Sequence, residues 1–348
     1  MSRVAELTPD LSRAAVVLMR DMMCVVESEH VLVTADVNTE KRAVDALVNA
    51  GYVLGAKVAS MTLAPSLPFQ GGLANPYIPD PVVAAAQNCD AWIDLCMPYI
   101  AGAAVYDKAM KNGRTRYFLA ADLGADGIVR IFSRADLNQV FAVSDIFNTL
   151  LAESAGKQCR FTTKLGTDVS FTLANPEGLE IKRATSPGGY FVPGTVMVIP
   201  ELETVKGKIV CESTFHEYYT VLEQPYVFTV DGKIQEVTGG GTELGAIRRS
   251  LRRAGNGEYG NIVHFTCGYH PAARFTGTSF IEDQRVIGCN AVGLGLPQWV
   301  DGGGENHPDC VMREQSFWIG NEKIIADGEI INPPALADAA SRLKPIYA

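Results

Sequence analysis

HVLVTAD, residues 30–36, decides the fold class: one histidine, a run of apolar and small residues, then a carboxylate. An unbroken run of this kind reads as a strand buried on both faces, as in a parallel sheet covered by helices. Downstream, the pattern predicts a helix capped by Thr39, running through Ala50 and stopped by Gly51. AKVASMTL (56–63) is the next expected strand. A loop with Pro65, Pro68, Pro76, Pro79 and Pro81 leads to a helix near Val82–Asn88. DAWIDLCM (90–97) and TRYFLAA (115–121) supply two more strands, with helices around 103–112 and 144–155. Upstream, Leu11 to Glu27 carries apolar residues at helical spacing. Repeated strand–helix units with short links predict a Rossmann-like parallel αβ domain over residues 1–157, of the kind that binds ligands at the C-terminal ends of its strands. No G-x-G-x-x-G follows the first strand and no P-loop motif occurs, so a nucleotide cofactor is not expected.

From about residue 157 the texture changes. CRFTTKLGTDVSFTL (159–173) alternates with the two-residue period of strands, as do TVMVIP, GKIVCES, YVFTV and KIQEV. Gly166-Thr167, Asp231-Gly232, Gly320-Asn321 and Asp327-Gly328 punctuate these runs as turns. One helix, Leu244–Ala254, interrupts them. Residues 158–348 are therefore expected to form a second, strand-rich α+β domain, and the whole chain an α/β protein of two domains, in keeping with its 348 residues.

A net charge of −9 argues against a nucleic-acid partner, which calls for a basic face. No run of 18 apolar residues marks a membrane span, and the N-terminal stretch lacks the order of a signal peptide; a soluble cytoplasmic protein is expected. The eight cysteines are scattered with no C-x-x-C pair, which excludes a zinc ribbon and reads as reduced, cytosolic usage rather than a disulfide frame.

Chemistry is concentrated around the histidines. His30 reads as a strand-edge residue, and His216, in STFHEYY, as a satisfied histidine on a sheet. GNIVHFTCGYHP (260–271) and DGGGENHPDC (301–310) are more pointed. Gly302, Gly303 and Gly304 suggest a loop bent around something. His307 and Asp309 stand two apart, and in extended backbone they share a face. His264 is the lone titratable group in an apolar strand and needs a partner, either a polar neighbour or a metal. Two histidines and a carboxylate would leave three positions open on a six-coordinate iron, room for a ring substrate and O2; zinc could use the same set with water. His270, before Pro271, is a competing ligand or a loop residue near the site.

HFTCGYHPAARFTG (264–277) and HPDCVMREQSFWIGNEKIIADGEII (307–331) resemble the 2,5-dihydroxypyridine 5,6-dioxygenase family, and FVPGTVMVIP (191–200) and KIQEVTGGGTELGAI (233–247) do so more weakly. The resemblance spans most of the C-terminal half; the N-terminal half shares only its αβ pattern. It implies the two-domain fold of the M29 leucyl aminopeptidases, to which that family is similar. It also implies Fe(II) held by His264, His307 and Asp309, and a reaction that opens a dihydroxylated pyridine with O2, giving N-formylmaleamate from 2,5-dihydroxypyridine. Thr195 and His264 stand where the aminopeptidases carry bridging glutamates, and Cys289 or Asn290 near an additional metal-site histidine, so a two-metal peptidase site looks dismantled.

The chain also departs from the pattern. Tyr190 stands where the dioxygenases have one pocket histidine, and Tyr99 or Ile100 where they have another. A tyrosine donates a hydrogen bond but is a poor base at neutral pH. Tyr190 and His270 are thus candidate catalytic residues, and Tyr99, Tyr190, Thr195 and Asn290 candidate substrate contacts, for a ring docked between the domains. A homo-oligomer is expected. The alternatives are a metal-dependent aminopeptidase, another metallohydrolase, or a non-catalytic binding protein of the same fold.

Overall fold

β1 (His30–Asp36) is buried at every residue after His30, and the reason is its position inside a sheet with a parallel strand on either side. The computed structural model describes residues 8–344 apart from 65, 68, 176, 177, 179, 217, 298, 299, 301, 302 and 304–306. Two of the predicted loop prolines, Pro65 and Pro68, lie outside the described residues. β1 is flanked by β2 (Lys57–Leu63) and β3 (Ala91–Asp94), and β3 by β4 (Arg116–Leu119), all parallel. The chain then makes a hairpin, β5 (Gln158–Thr162) and β6 (Asp168–Thr172), that belongs to a second sheet. It returns to the first sheet as β7 (Gly188–Phe191), parallel to β4. Among the described residues the order of this five-stranded sheet is β2-β1-β3-β4-β7.

The helices include α1 (Thr8–Val17), which widens into a π-helical turn at Leu18–Met22, α2 (Lys41–Val53), α3 (Asp80–Ala86), α4 (Ala104–Lys111), α5 (Ala125–Ser133) and α6 (Leu137–Glu153). Two boundary expectations are corrected. Glu40, not Thr39, occupies the cap position of α2; the Thr39 hydroxyl instead accepts the Asp36 N–H at 2.9 Å. Gly51 does not stop the helix. A Cβ at Gly51 would lie 2.6 Å from Val58 Cγ2, so its missing side chain lets α2 pack close against β2.

The chain divides into two compact units that do not follow a single cut near 157. The first takes the residues up to Leu137 and Lys182–Pro193; the second takes Asn138–Ile181 and Gly194–Lys344. Within the first, Trp92 and Tyr117 meet edge to face at 4.9 Å, both buried. Asp94, at the C-terminal end of β3, accepts the Thr34 and Tyr117 hydroxyls at 2.8 and 2.6 Å and the backbone N–H of Cys96 and Ile100. Its carboxylate therefore ties down the loop that carries Tyr99.

The second unit holds the antiparallel sheet, with β8 (Thr195–Val198), β9 (Lys206–Phe215), β10 (Tyr219–Asp231), β11 (Lys233–Gly239), β12 (Asn261–Gly268), β13 (Asn290–Gly295), β14 (Asp309–Met312), β15 (Ser316–Ile319), β16 (Glu322–Ala326) and β17 (Glu329–Ile330). Its main path runs β17-β16-β15-β5-β6-β9-β14-β13-β12-β8, with β10 pairing β9 and β11. Helix α7 (Leu244–Ala254) stands where the sequence placed a helix in this half, but it is not alone: α8 (Phe280–Asp283) and α9 (Pro334–Ser341) were not expected. Asp327 and Gly328, both at positive φ, close the two-residue β16–β17 turn. Phe161, Phe171, Phe265 and Phe317, all fully buried, stack in one cluster with centroids 4.3 to 5.9 Å apart. The thiols of Cys211 and Cys310 meet on adjacent strands, and Cys24, Cys89, Cys96, Cys159, Cys267 and Cys289 are free. Among the described residues no helix is long and apolar enough to cross a membrane.

Candidate metal centre

His264, Gly293, Asp309 and Phe215 form one row across four neighbouring strands, β12, β13, β14 and β9. The row exists because β12 carries a bulge: Ile262 pairs with Leu294 but His264 with Gly293, leaving Val263 as the extra residue. The next residue, Phe265, is locked into the phenylalanine cluster with partners at 5.0 Å. Strand alternation then turns His264 to the opposite face of the sheet. Pro308 extends the β14 pairing by accepting the Leu294 N–H at 2.9 Å, so the backbone is extended into His307, which shares the face of Asp309.

The three side chains converge. His264 Nε2 lies 3.2 Å from His307 Nε2 and 3.3 Å from Asp309 Oδ1, and His307 Nε2 lies 3.8 Å from Asp309 Oδ2. Adjacent ligands of an octahedral ion bound at about 2.1 Å stand about 3.0 Å apart, so this spacing suits one ion. Asp309 is buried and its Oδ1 has no hydrogen-bond partner among the described residues, a costly state for a carboxylate that a cation would relieve. Burial holds the His307 imidazole below its ordinary pKa; Asp309 opposes that and His264 adds to it. The neutral ring this favours is the form that binds metal. Among the described residues these three form the one group of histidine, cysteine and carboxylate side chains placed to hold an ion.

The other candidates fall elsewhere. His270 is fully buried: its backbone N–H bonds the Arg285 carbonyl at 2.9 Å and its Nδ1 accepts the Ala272 N–H at 3.2 Å. It packs so close to Gly194 that a Cβ there would lie 2.6 Å from the His270 Cβ. It is no part of the ligand group. Asn290 is buried with both ends of its amide engaged, accepting from Thr266 N–H at 3.2 Å and donating to Gln315 Oε1 at 2.8 Å. Three residues from Gly293 along β13, it belongs to the other face. Thr195 faces Gly268, four residues along β12 from His264, and its buried hydroxyl has no partner among the described residues. Tyr99 and Tyr190 belong to the first unit. The Tyr190 hydroxyl donates to the Ser186 carbonyl at 2.5 Å and Tyr99 is half-buried. His216 is the satisfied histidine expected, 3.2 Å from Glu243, and the His30 backbone N–H bonds Asp90. Gly302 and Gly304 lie outside the described residues; Gly303 sits in a turn where a Cβ would run into the Pro297 carbonyl oxygen. Sequence reading missed Gly293, although a glycine inside a strand is a sign that something approaches the backbone closely.

A parallel sheet flanked by helices, a large antiparallel sheet, and on it a His-His-Asp group define the class: the fold shared by a ring-cleaving dioxygenase and an M29 aminopeptidase. It matches the 2,5-dihydroxypyridine dioxygenase of Pseudomonas putida KT2440 with a TM-score of 0.73 at 18% identity, over 94% of this chain and 99% of that one. It matches wild-type AmpT from Thermus thermophilus with a TM-score of 0.63 at 14% identity, over 94% of this chain and 100% of that one. The family model for 2,5-dihydroxypyridine 5,6-dioxygenase matches residues 17–332, and the chain belongs to that family. It is thus an oxidoreductase, a dioxygenase that opens a dihydroxylated pyridine ring. No curated protein matches the sequence.

Proposed function

We propose that His264, His307 and Asp309 are the Fe(II) ligands of this dioxygenase. The observation that carries the reading is the buried Oδ1 of Asp309, which has no hydrogen-bond partner among the described residues and faces His264 Nε2 at 3.3 Å. Fe(II), when bound, supplies the electron transfer to O2 that a closed-shell ring cannot perform unaided. The residues of the chain do the rest. The two imidazoles would supply nitrogen donors and Asp309 a carboxylate oxygen, a set that leaves positions for a ring substrate and O2. Phe215, fully buried beside Asp309, walls the carboxylate from water on the β9 side. In the second unit, Thr195 Oγ1 is a buried polar atom with no hydrogen-bond partner among the described residues, and we assign it to receive a ring substituent. His270, Asn290 and the Tyr190 hydroxyl already serve the fold, so we assign them supporting rather than chemical roles. Among the described residues one three-ligand group is found, which supports this reading over a two-metal peptidase. A cytoplasmic location and a homo-oligomer belong to the same proposal, the latter tested by light scattering.

The test is anaerobic reconstitution with Fe(II), then O2 uptake with 2,5-dihydroxypyridine and a panel of other hydroxylated rings. One O2 consumed per ring, with loss of ring absorbance, supports the reading and ranks the substrates. Iron-loaded protein that consumes no O2 with any ring overturns it.

A further inference from the structure

We infer that Gly293 is a positioning residue: the strand between the two ligand-bearing strands must lack a side chain at this one position so that His264 can reach across to Asp309. The inference rests on the assignment of the ligand triad above, and its test separates the two.

Neighbouring strands stand about 4.8 Å apart, so His264 on β12 and Asp309 on β14, with β13 between them, have backbones about 10 Å apart. Residues directly opposite in a sheet point to the same face, and here the residue between them is Gly293, paired to both. The imidazole closes the gap by lying over that glycine. A Cβ built on Gly293 comes within 3.0 Å of Nε2, Cδ2 and Cε1 of His264, the whole leading edge of the ring. Ordinary packing needs about 3.5 Å, so an alanine displaces the ring by about 1 Å. Asp309 has Phe215 on its other side, so its route to a partner also runs over Gly293.

Backbone conformation does not explain the glycine. Gly293 is not among the residues at positive φ, and an alanine could adopt its backbone without strain. What it cannot do is share the space with the imidazole. The carboxylate–imidazole geometry must hold to within about 0.5 Å for a functional ligand set, so a shift of about 1 Å is enough to disable it.

The experiment is a double-mutant cycle with G293A, H264A and the pair, read in metal-free protein by thermal unfolding and in parallel by Fe(II) content after anaerobic loading. Expected is a lower midpoint for G293A in the wild-type background and no further loss in the H264A background, where the ring is gone. Fe(II) bound per chain should fall at least tenfold in G293A while its circular dichroism matches wild type. G293A that loads Fe(II) like wild type overturns the inference. So does an equal loss of midpoint in both backgrounds, which would make Gly293 a matter of general strand packing. Wild-type protein that loads no Fe(II) overturns the triad assignment instead, and the metal-free cycle still decides whether Gly293 makes room for His264.

Discussion

His264 Nε2 and His307 Nε2 face one another at 3.2 Å although 43 residues separate them in the chain. Two imidazole nitrogens and the Asp309 carboxylate on one sheet face, with Oδ1 left unpartnered, make a poor packing motif and a good cation site. A bulge at Val263 and a glycine at 293 bring them together, and both are features of the strands rather than of the three side chains.

His264→Ala, His307→Ala and Asp309→Ala should each cut Fe(II) binding and ring-opening by on the order of a hundredfold or more. The fold should persist, because β12 is held from behind by Phe265 and its stacked partners. Iron analysis and circular dichroism on the same samples check both halves. Full iron and activity in His264→Ala would remove it from the ligand set.

Fe(II) should stabilise the metal-free protein. A ligand that binds the folded state at a hundred times its dissociation constant contributes about 2.7 kcal/mol. An anaerobic melt with Fe(II) should therefore show a higher midpoint, reversed by a chelator. Asp309→Ala should show no such shift. A wild-type midpoint indifferent to Fe(II) would count against the site.

Much of this was legible before any coordinates. The buried run at 30–36 marked a parallel sheet, and the alternating runs after 157 an antiparallel one, because burial on two faces or one writes different periods into sequence. His307 and Asp309 were readable together since extended backbone puts every second residue on one face. The return of Gly188–Phe191 to the first sheet was not readable: a parallel strand can be supplied from any distance, and SPGGYF looks like a turn. Helix α5, ADGIVRIFS, was missed because Gly127 sits inside it. Gly51 looked like a helix stop and is a packing contact, which only the position of Val58 reveals. Gly293 was passed over because attention to titratable groups ignores the residue that makes room for them.

Tyr190→Phe tests whether that ring meets substrate. Its hydroxyl already donates to the Ser186 carbonyl at 2.5 Å. Losing that bond should cost about 1 kcal/mol of stability and leave KM for 2,5-dihydroxypyridine unchanged. A KM raised about tenfold with stability intact would instead return Tyr190 to the substrate site.

Asn290→Ala separates a structural amide from a substrate contact. The side chain is fully buried and bridges β12 to Gln315: it accepts from Thr266 N–H and donates to Gln315 Oε1, while Gln315 donates to the Cys289 carbonyl at 2.8 Å. Alanine leaves the Thr266 N–H without its acceptor and Gln315 Oε1 without this donor, among residues that are fully buried. Stranding two buried polar groups costs about 2–5 kcal/mol, enough to lower the urea midpoint clearly. Because Asn290 lies on the face away from Gly293, the fraction that remains folded should bind Fe(II) and turn over 2,5-dihydroxypyridine as wild type does. The paired measurement is a urea titration and a KM determination well below the unfolding midpoint. Unchanged stability with a raised KM would mean that the amide turns toward the ring, and that the alternation of β13 has been read the wrong way round.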